Sequence, residues 1–212
     1  MRTRARWMSA VVAAAAVAWS GCFYGPPAVV AGPAVTVGPA GPVVGPPAPG
    51  TGVPHLGIGA GIGLFTPVDP WVDVGFYWNL NTSLWLGDML AIELDVGSST
   101  MTDTGYGGEL TVTPVTVSAV FSLPDPWMMS QVVRWRLGVG AGVAGVDHSL
   151  YVIDPSAIGV FTVQAGTEFL IPGMGRMLAV VDLMFGEEVN SGGYWWDLSG
   201  MTAVRIGLEL TF

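Results

Sequence analysis

The chain has 212 residues, half of them hydrophobic, and its formal net charge is −9 from 16 acidic residues against seven Arg and no Lys. This length allows one sizeable domain with extensions. Nucleic-acid binding requires clustered cations, so the acidic balance predicts no nucleic-acid partner. After the N-terminal region, no apolar run is long enough for a transmembrane helix.

The N-terminal residues have the pattern of a secretory signal peptide. Arginines within the first six residues precede a short apolar segment over residues 7–19, and small residues follow. The only cysteine, Cys22, comes directly after Ser20-Gly21, which resembles a bacterial lipoprotein signal. We therefore predict removal of residues 1–21 and lipid attachment at Cys22. The alternative is cleavage after Ala18, which would leave Cys22 as a free thiol.

Residues 22–54 form a linker rich in Pro, Gly and Val. Pro fixes the backbone and removes hydrogen-bond donors, while Gly provides no side chain for a core. We predict an extended, disordered tether that separates the anchor from the folded domain. A binding segment for cell-wall proteins is the alternative.

From His55 onward, eight segments alternate between apolar residues and Gly or polar residues. Such alternation predicts strands with one apolar and one polar face. Most are long enough to cross a bilayer as tilted strands, and an even number of them suits a closed barrel. The predicted segments are 55–65, 72–86, 90–97, 110–121, 133–145, 158–171, 177–188 and 201–212.

The connections between these segments alternate between tight turns and longer loops. With the N-terminus in the periplasm, the tight turns would lie inside and the loops 98–109, 146–157 and 189–200 outside. Pro114 would require a bulge or a strand end, because it removes a ladder hydrogen bond. Most tryptophans lie near predicted strand ends, where interfacial aromatic girdles occur. They are Trp71, Trp78, Trp85, Trp127, Trp135, Trp195 and Trp196.

If the apolar faces contact lipid, eight charged residues point into the lumen. An eight-stranded barrel is only wide enough for side chains to fill, so these charges should form a paired network that plugs it. Rows of Gly in the first and fifth segments would leave space for Tyr77, Trp85 and the arginines. A narrow Gly-lined channel is the alternative. The predicted network comprises Glu93, Asp95, Arg134, Arg136, Glu168, Asp182, Arg205 and Glu209.

Four motifs carry a resemblance to a known family. They are the Gly-rich strand 57–63, the sequence Arg-Leu-Gly-Val-Gly-Ala-Gly at 136–142, Gly-Thr-Glu-Phe at 166–169 and Gly-Leu-Glu-Leu-Thr-Phe at 207–212. Residues 55–212 thereby resemble the small outer-membrane β-barrels of the OmpA/OmpX type. The resemblance implies an all-β, eight-stranded antiparallel up-and-down transmembrane barrel in the bacterial outer membrane. It also implies that Phe212 is the signal read by the barrel-assembly machinery.

No catalytic, cofactor or metal site is predicted. In Asp147-His148-Ser149, neighbouring strand residues point to opposite faces and cannot pair directly, so a polar loop tip is expected. No His/Cys cluster suggests a metal, and the acids of the outer loops match no calcium-loop spacing. We expect them to form a solvated acidic rim.

The sequence thus predicts a non-enzymatic outer-membrane barrel, surrounded by lipid, with a structural or surface-interaction role and an unspecified extracellular ligand. Three alternatives stay open. One is a narrow channel, and another is a lipid-modifying outer-membrane enzyme. The third is a secreted soluble β-sandwich lipoprotein, in which Phe161, Leu183 and Leu208 would share one core.

Overall fold

A computed structural model describes residues 54–124, 132–153 and 156–212. No helix in these ranges is long and apolar enough to span a membrane. The predicted signal peptide, Cys22 and nearly all of the linker lie outside the described residues. The strands are β1 (His55–Pro67), β2 (Gly75–Trp85), β3 (Leu90–Thr102), β4 (Glu109–Pro124), β5 (Val133–His148), β6 (Ala157–Ile171), β7 (Gly175–Phe185), β8 (Glu188–Ser191), β9 (Tyr194–Asp197) and β10 (Met201–Thr211).

Eight of these strands form a closed antiparallel barrel in the order β1-β10-β7-β6-β5-β4-β3-β2. The first and last strands close the seam, with Gly57 opposite Thr211 and Pro67 opposite Met201. The short strands β8 and β9 form a separate hairpin in the connection between β7 and β10. The predicted fold, an all-β eight-stranded antiparallel barrel, is confirmed.

The barrel has an apolar outer face and a buried inner face, as the alternation predicted. On β10, Ile206 is 62% exposed whereas its neighbour Arg205 is 4% exposed. Phe161 and Leu208 are also exposed, on the outside of the barrel wall. The β-sandwich alternative required these two residues and Leu183, which is partly exposed, to lie in a shared core, and the closed sheet excludes it.

The two ends of the barrel differ. At the terminal end, where β1 begins and β10 ends, residues 86–89 and 172–174 form tight turns, and the β4–β5 connection lies mostly outside the described residues. At the distal end, the connections are residues 68–74, 103–108, 149–156 and 186–200. Two of the predicted loops are shorter than expected, because β3 extends to Thr102 and β5 to His148. The third contains the hairpin β8–β9.

Three local predictions were wrong. Pro114 lies inside β4, paired with Ala144, and the β3–β4 register is the same before and after it, so there is neither a bulge nor a strand end. The ladder to β3 is interrupted there, and the hydroxyl groups of Ser98 and Thr113 lie 3.4 Å apart at the gap. Trp85 and Trp196 do not belong to an aromatic girdle, because both are buried inside the molecule. For Trp85 this burial agrees with the lumen position beside the Gly rows that was also predicted.

Candidate functional site

The lumen has two layers of different chemistry. Toward the terminal end it contains eight buried charged side chains, which we call the charge network. They are Glu93, Asp95, Arg136, Glu168, Arg176, Asp182, Arg205 and Glu209. Toward the distal end most inward residues of the same strands are apolar, and these form one hydrophobic cluster.

Arg136 links three barrel strands in the charge network. Its guanidinium group pairs with Glu93 of β3 and, at 3.2 Å, with Glu168 of β6. All three side chains are completely buried. Because charged groups in such an interior need partners, Arg136 compensates the charges of two buried carboxylates.

Arg205 binds the acids at the middle of the barrel. Its Nε donates to Asp182 Oδ2 at 2.6 Å, and its Nη1 lies 3.1 Å from Asp95 Oδ2. Nη2 also lies 3.7 Å from Glu93 Oε1. Strand β10 is thereby connected through one side chain to both β7 and β3.

Arg176 completes the network near the terminal end. It donates to Glu168 at 2.9 Å, and its Nε lies 3.2 Å from Glu209 Oε1. The guanidinium carbon stands 3.7 Å from the ring centroid of Trp85, a cation–π geometry. The indole Nε1 of Trp85 in turn donates to Glu209 at 3.1 Å.

The structure brings together seven of the eight predicted network residues and separates the eighth. Arg134 lies on the inner face of β5 but is only half-buried, and its Nη1 donates to the carbonyl oxygen of Asp88 in the β2–β3 turn at 2.6 Å. Arg176 takes its place. Sequence reasoning missed it because 172–176 was assigned to a turn, although Arg176 has the same alternation parity as the inward Asp182.

Neutral amides extend the network onto β2. Asn79 donates to Asp95 at 2.8 Å, and Asn81 donates to Glu93 and Glu209 at 3.3 and 3.2 Å. The Gly row of β1 provides the space for these groups. A Cβ atom at Gly57 would collide with Glu209, and one at Gly59 would collide with Asn81.

The distal half of the lumen is filled by apolar side chains. Phe65 and Tyr77 stack with their ring centroids 5.7 Å apart, and both are almost completely buried. Leu110 and Val112 of β4 and Met101 of β3 belong to the same cluster. This layer separates the charge network from the distal loops by hydrocarbon.

Six residues from three distal connections and the strands beside them close the barrel above this layer. We call this group the distal cap. Its rings pack at centroid distances of 4.5 to 6.1 Å, and Trp196 Nε1 donates to Asp103 Oδ2 at 2.7 Å. The other oxygen of Asp103 accepts from the backbone N–H groups of Gly105 and Tyr106. The distal cap comprises Asp103, Tyr106, His148, Tyr151, Tyr194 and Trp196.

His148 is a buried member of the distal cap, so the prediction of a polar loop tip was wrong. Its Nδ1 accepts the backbone N–H of Leu150 at 3.1 Å, and its Nε2 lies 3.3 Å from Asp103 Oδ2. The hydroxyl of Ser149 instead accepts the backbone N–H of Glu109 at 2.9 Å. With Nδ1 occupied, the geometry gives His148 no free nitrogen directed at Ser149, as a nucleophile–base pair requires.

Phe212 follows β10 at the barrel seam. Its backbone exchanges hydrogen bonds with Leu56, and its ring is 62% exposed on the outer face. Among the described residues, no group of three or more His, Cys, Asp or Glu side chains is arranged to hold a metal ion.

The closed barrel, its apolar outer face and its filled, charged interior together define the architecture of the small outer-membrane β-barrels. Comparison with solved structures gives the same fold. Neisserial surface protein A matches with a TM-score of 0.56 and 13% identity over 76% of this chain and 98% of that one. The outer membrane protein OprG from Pseudomonas aeruginosa matches with a TM-score of 0.55 and 12% identity over 74% and 95%.

The similarity is one of structure and not of sequence. No family model matches the chain, and a search of curated proteins also gives no match. At such low identity, the two solved structures show the fold alone.

Proposed function

We propose that this protein is an integral outer-membrane barrel that does not conduct, and whose distal end serves a surface-interaction role. The observation that carries the proposal is the filled lumen. A layer of paired charges and a layer of packed hydrocarbon lie in series along the barrel axis. An ion crossing the lumen would have to displace both.

The apolar outer face supports a location in lipid. Residues such as Ile62 and Leu80 point outward from the middle of their strands and are more than half exposed. Such a surface is unfavourable in water and favourable in a bilayer. Both proteins reported above carry names that place them at a bacterial surface or outer membrane, which agrees with this location.

The proposal assigns roles to the two ends of the chain. Phe212, exposed beside the seam, serves as the C-terminal signal for the barrel-assembly machinery. Cys22 provides a lipid anchor, and the linker 22–54 connects it to the barrel. In this arrangement the terminal end faces the periplasm and the distal end faces outside.

The other two functions that the sequence left open receive less support. A Gly-lined channel would need the space beside the Gly rows, which Asn79, Asn81 and Glu209 occupy. A lipid-modifying hydrolase would need His148 to activate Ser149, and both side chains are engaged elsewhere.

Two measurements test the proposal. The full-length protein, extracted in detergent, should migrate differently on a gel before and after heating, because a folded barrel resists unheated detergent. It should also give no current steps in a planar lipid bilayer. Loss of the heat-dependent shift would contradict the membrane barrel, and regular current steps would contradict the sealed lumen.

A further inference from the structure

The distal end of the barrel exposes an apolar surface that the lipid cannot cover, because it lies in the connections beyond the strands. Val152 is 87% exposed, Leu150 64% and Trp71 61%. Exposed apolar patches of this kind mark interaction sites in otherwise well-packed proteins. We call the following set the distal surface: Trp71, Tyr106, Leu150, Val152, Tyr194 and Trp195.

Tyr106, Leu150 and Tyr194 lie together at the centre of this surface, and Trp71 packs beside Gly105 of the same β3–β4 connection as Tyr106. Val152 and Trp195 are exposed in the connections that carry Leu150 and Tyr194. Tyr194 contacts Tyr106 and Tyr151 at centroid distances of 4.7 and 4.5 Å, which joins the hairpin β8–β9 to the β3–β4 and β5–β6 connections. The Tyr151 hydroxyl also donates to the carbonyl of Tyr106 at 3.4 Å. Leu150 lies against Gly108, next to the same tyrosines.

The distal surface is held by hydrogen bonds to the buried carboxylates of Asp103 and Asp69. Beneath it, Trp196 donates to Asp103 at 2.7 Å. At its edge, Asp69 accepts the backbone N–H groups of Trp71 and Asp197, both at 2.9 Å. A surface ordered before binding loses less conformational entropy when a partner docks, which favours affinity.

The charges around the distal surface are all of one sign. Every Arg in the described residues points into the lumen or its terminal mouth, and the chain has no Lys. His148 is buried in the distal cap. The exposed ionisable side chains at this end therefore include only acids and tyrosines. The exposed acids are Asp73, Glu109, Asp147, Glu187 and Glu188.

From these observations we infer that the distal surface binds a cationic protein segment. Arg side chains suit it best, since a guanidinium group stacks on exposed aromatic rings and also pairs with carboxylates. Anionic partners are repelled by the same field. This inference deepens the proposed function and rests on it, because the distal end must face outside the membrane to meet such a partner.

The test uses the folded full-length protein in a non-ionic detergent and three fluorescent peptides: nonaarginine, nonalysine and nonaglutamate. Fluorescence anisotropy measures their binding. We expect nonaarginine to bind most tightly, nonalysine more weakly and nonaglutamate not at all. The affinity for nonaarginine should fall about tenfold or more from low to physiological ionic strength, because exposed charges are screened.

Two variants and a control locate the binding. The double substitution Glu187→Gln/Glu188→Gln should lower the affinity for both cationic peptides by about 2- to 20-fold. Trp195→Ala should lower the affinity for nonaarginine more than that for nonalysine, since Arg stacks on indole. Asp88→Asn removes an acid at the terminal end and should leave both affinities unchanged.

Several results would overturn the inference. One is equal weakening by Asp88→Asn and by the distal variants, and another is equal binding of nonaglutamate. A third is absence of nonaarginine binding, including the case in which the protein binds only calcium or a neutral oligosaccharide. The heat-dependent gel shift and the bilayer recording are made on the same samples. If the protein shows the gel shift and no current steps but binds none of the peptides, this inference is wrong and the proposed function is unaffected.

Discussion

Arg136 is the residue whose loss should reveal the energetic role of the charge network. Replacing it by Met keeps most of its volume but removes two ion pairs and leaves Glu93 and Glu168 buried beside an apolar chain. Glu168 keeps Arg176 and Ser122, each at 2.9 Å. Glu93 keeps the amides of Asn81, at 3.3 Å, and Gln164, but its nearest remaining cation is Arg205 at 3.7 Å, so it is the more isolated carboxylate.

The expected magnitude follows from these contacts. Each hydrogen bond to a charged group contributes about 1.5–3 kcal/mol, and removing one partner of a buried ion pair costs about 3–5 kcal/mol. Because Glu168 retains good partners, we expect Arg136→Met to lower the free energy of unfolding by about 3–5 kcal/mol. The assay is a urea titration in which unheated gel mobility reports the folded fraction.

Two further variants make this prediction decisive. Arg134→Met is the matched control, because it removes one hydrogen bond at a half-buried position and should cost about 1 kcal/mol. Adding Glu93→Gln to Arg136→Met should recover part of the lost stability, since the isolated charge is then gone. Equal losses for Arg134→Met and Arg136→Met would refute the reasoning, as would a further loss on adding Glu93→Gln.

Three other predictions concern the barrel wall and the distal cap. Ile206→Arg, at the middle of the apolar face, should lower the free energy of unfolding by about 2–4 kcal/mol. Thr202→Arg, near the distal end of the same strand, should lower it less, and urea titration compares the two. Gly63→Val should abolish the folded gel form, because a Cβ atom there overlaps the backbone of β10. Trp196→Phe should cost about 1.5–3 kcal/mol in the same titration, because Asp103 loses a buried donor.

Each of these has an outcome that contradicts it. Equal effects of Arg at positions 206 and 202 would argue that the outer face is not in lipid. A normally folded Gly63→Val protein would mean that the β1–β10 seam is looser than the register indicates. An unchanged Trp196→Phe protein would show that the distal cap contributes little to stability.

The strands and their faces were predictable because a strand has a period of two. On β1 and β10 the alternation alone assigns Ile58 and Ile206 to the outside and Gly57 and Arg205 to the inside. A lumen too narrow for water to solvate charges fully then requires the inward charges to pair. In the structure Arg136 lies among acids, but the sequence does not indicate which acids it pairs with.

The specific ion pairs of the charge network depend on features that no periodic pattern in the sequence indicates. Which acid meets Arg205 is fixed by the register and stagger of strands distant in sequence. Arg176 was missed since its strand begins two residues earlier than the hydrophobic pattern shows. The distal cap combines Asp103, His148 and Trp196 from separate connections, and loops have no repeating geometry from which such a meeting follows. Trp196 was misplaced because an indole suits both an interface and a core, and the same ambiguity gave Trp85 two predicted positions.

The seam between β1 and β10 has a consequence for how the molecule is made. Gly57 pairs with Thr211, so closure joins segments separated by almost the whole domain, and contacts of such high sequence separation form slowly. Glu209 of β10 is also a partner of Asn81, Trp85 and Arg176. Until β10 is in place, these groups need water as a substitute partner. Loss of water from the lumen and pairing of β1 with β10 must therefore occur together, as one late and cooperative step of assembly.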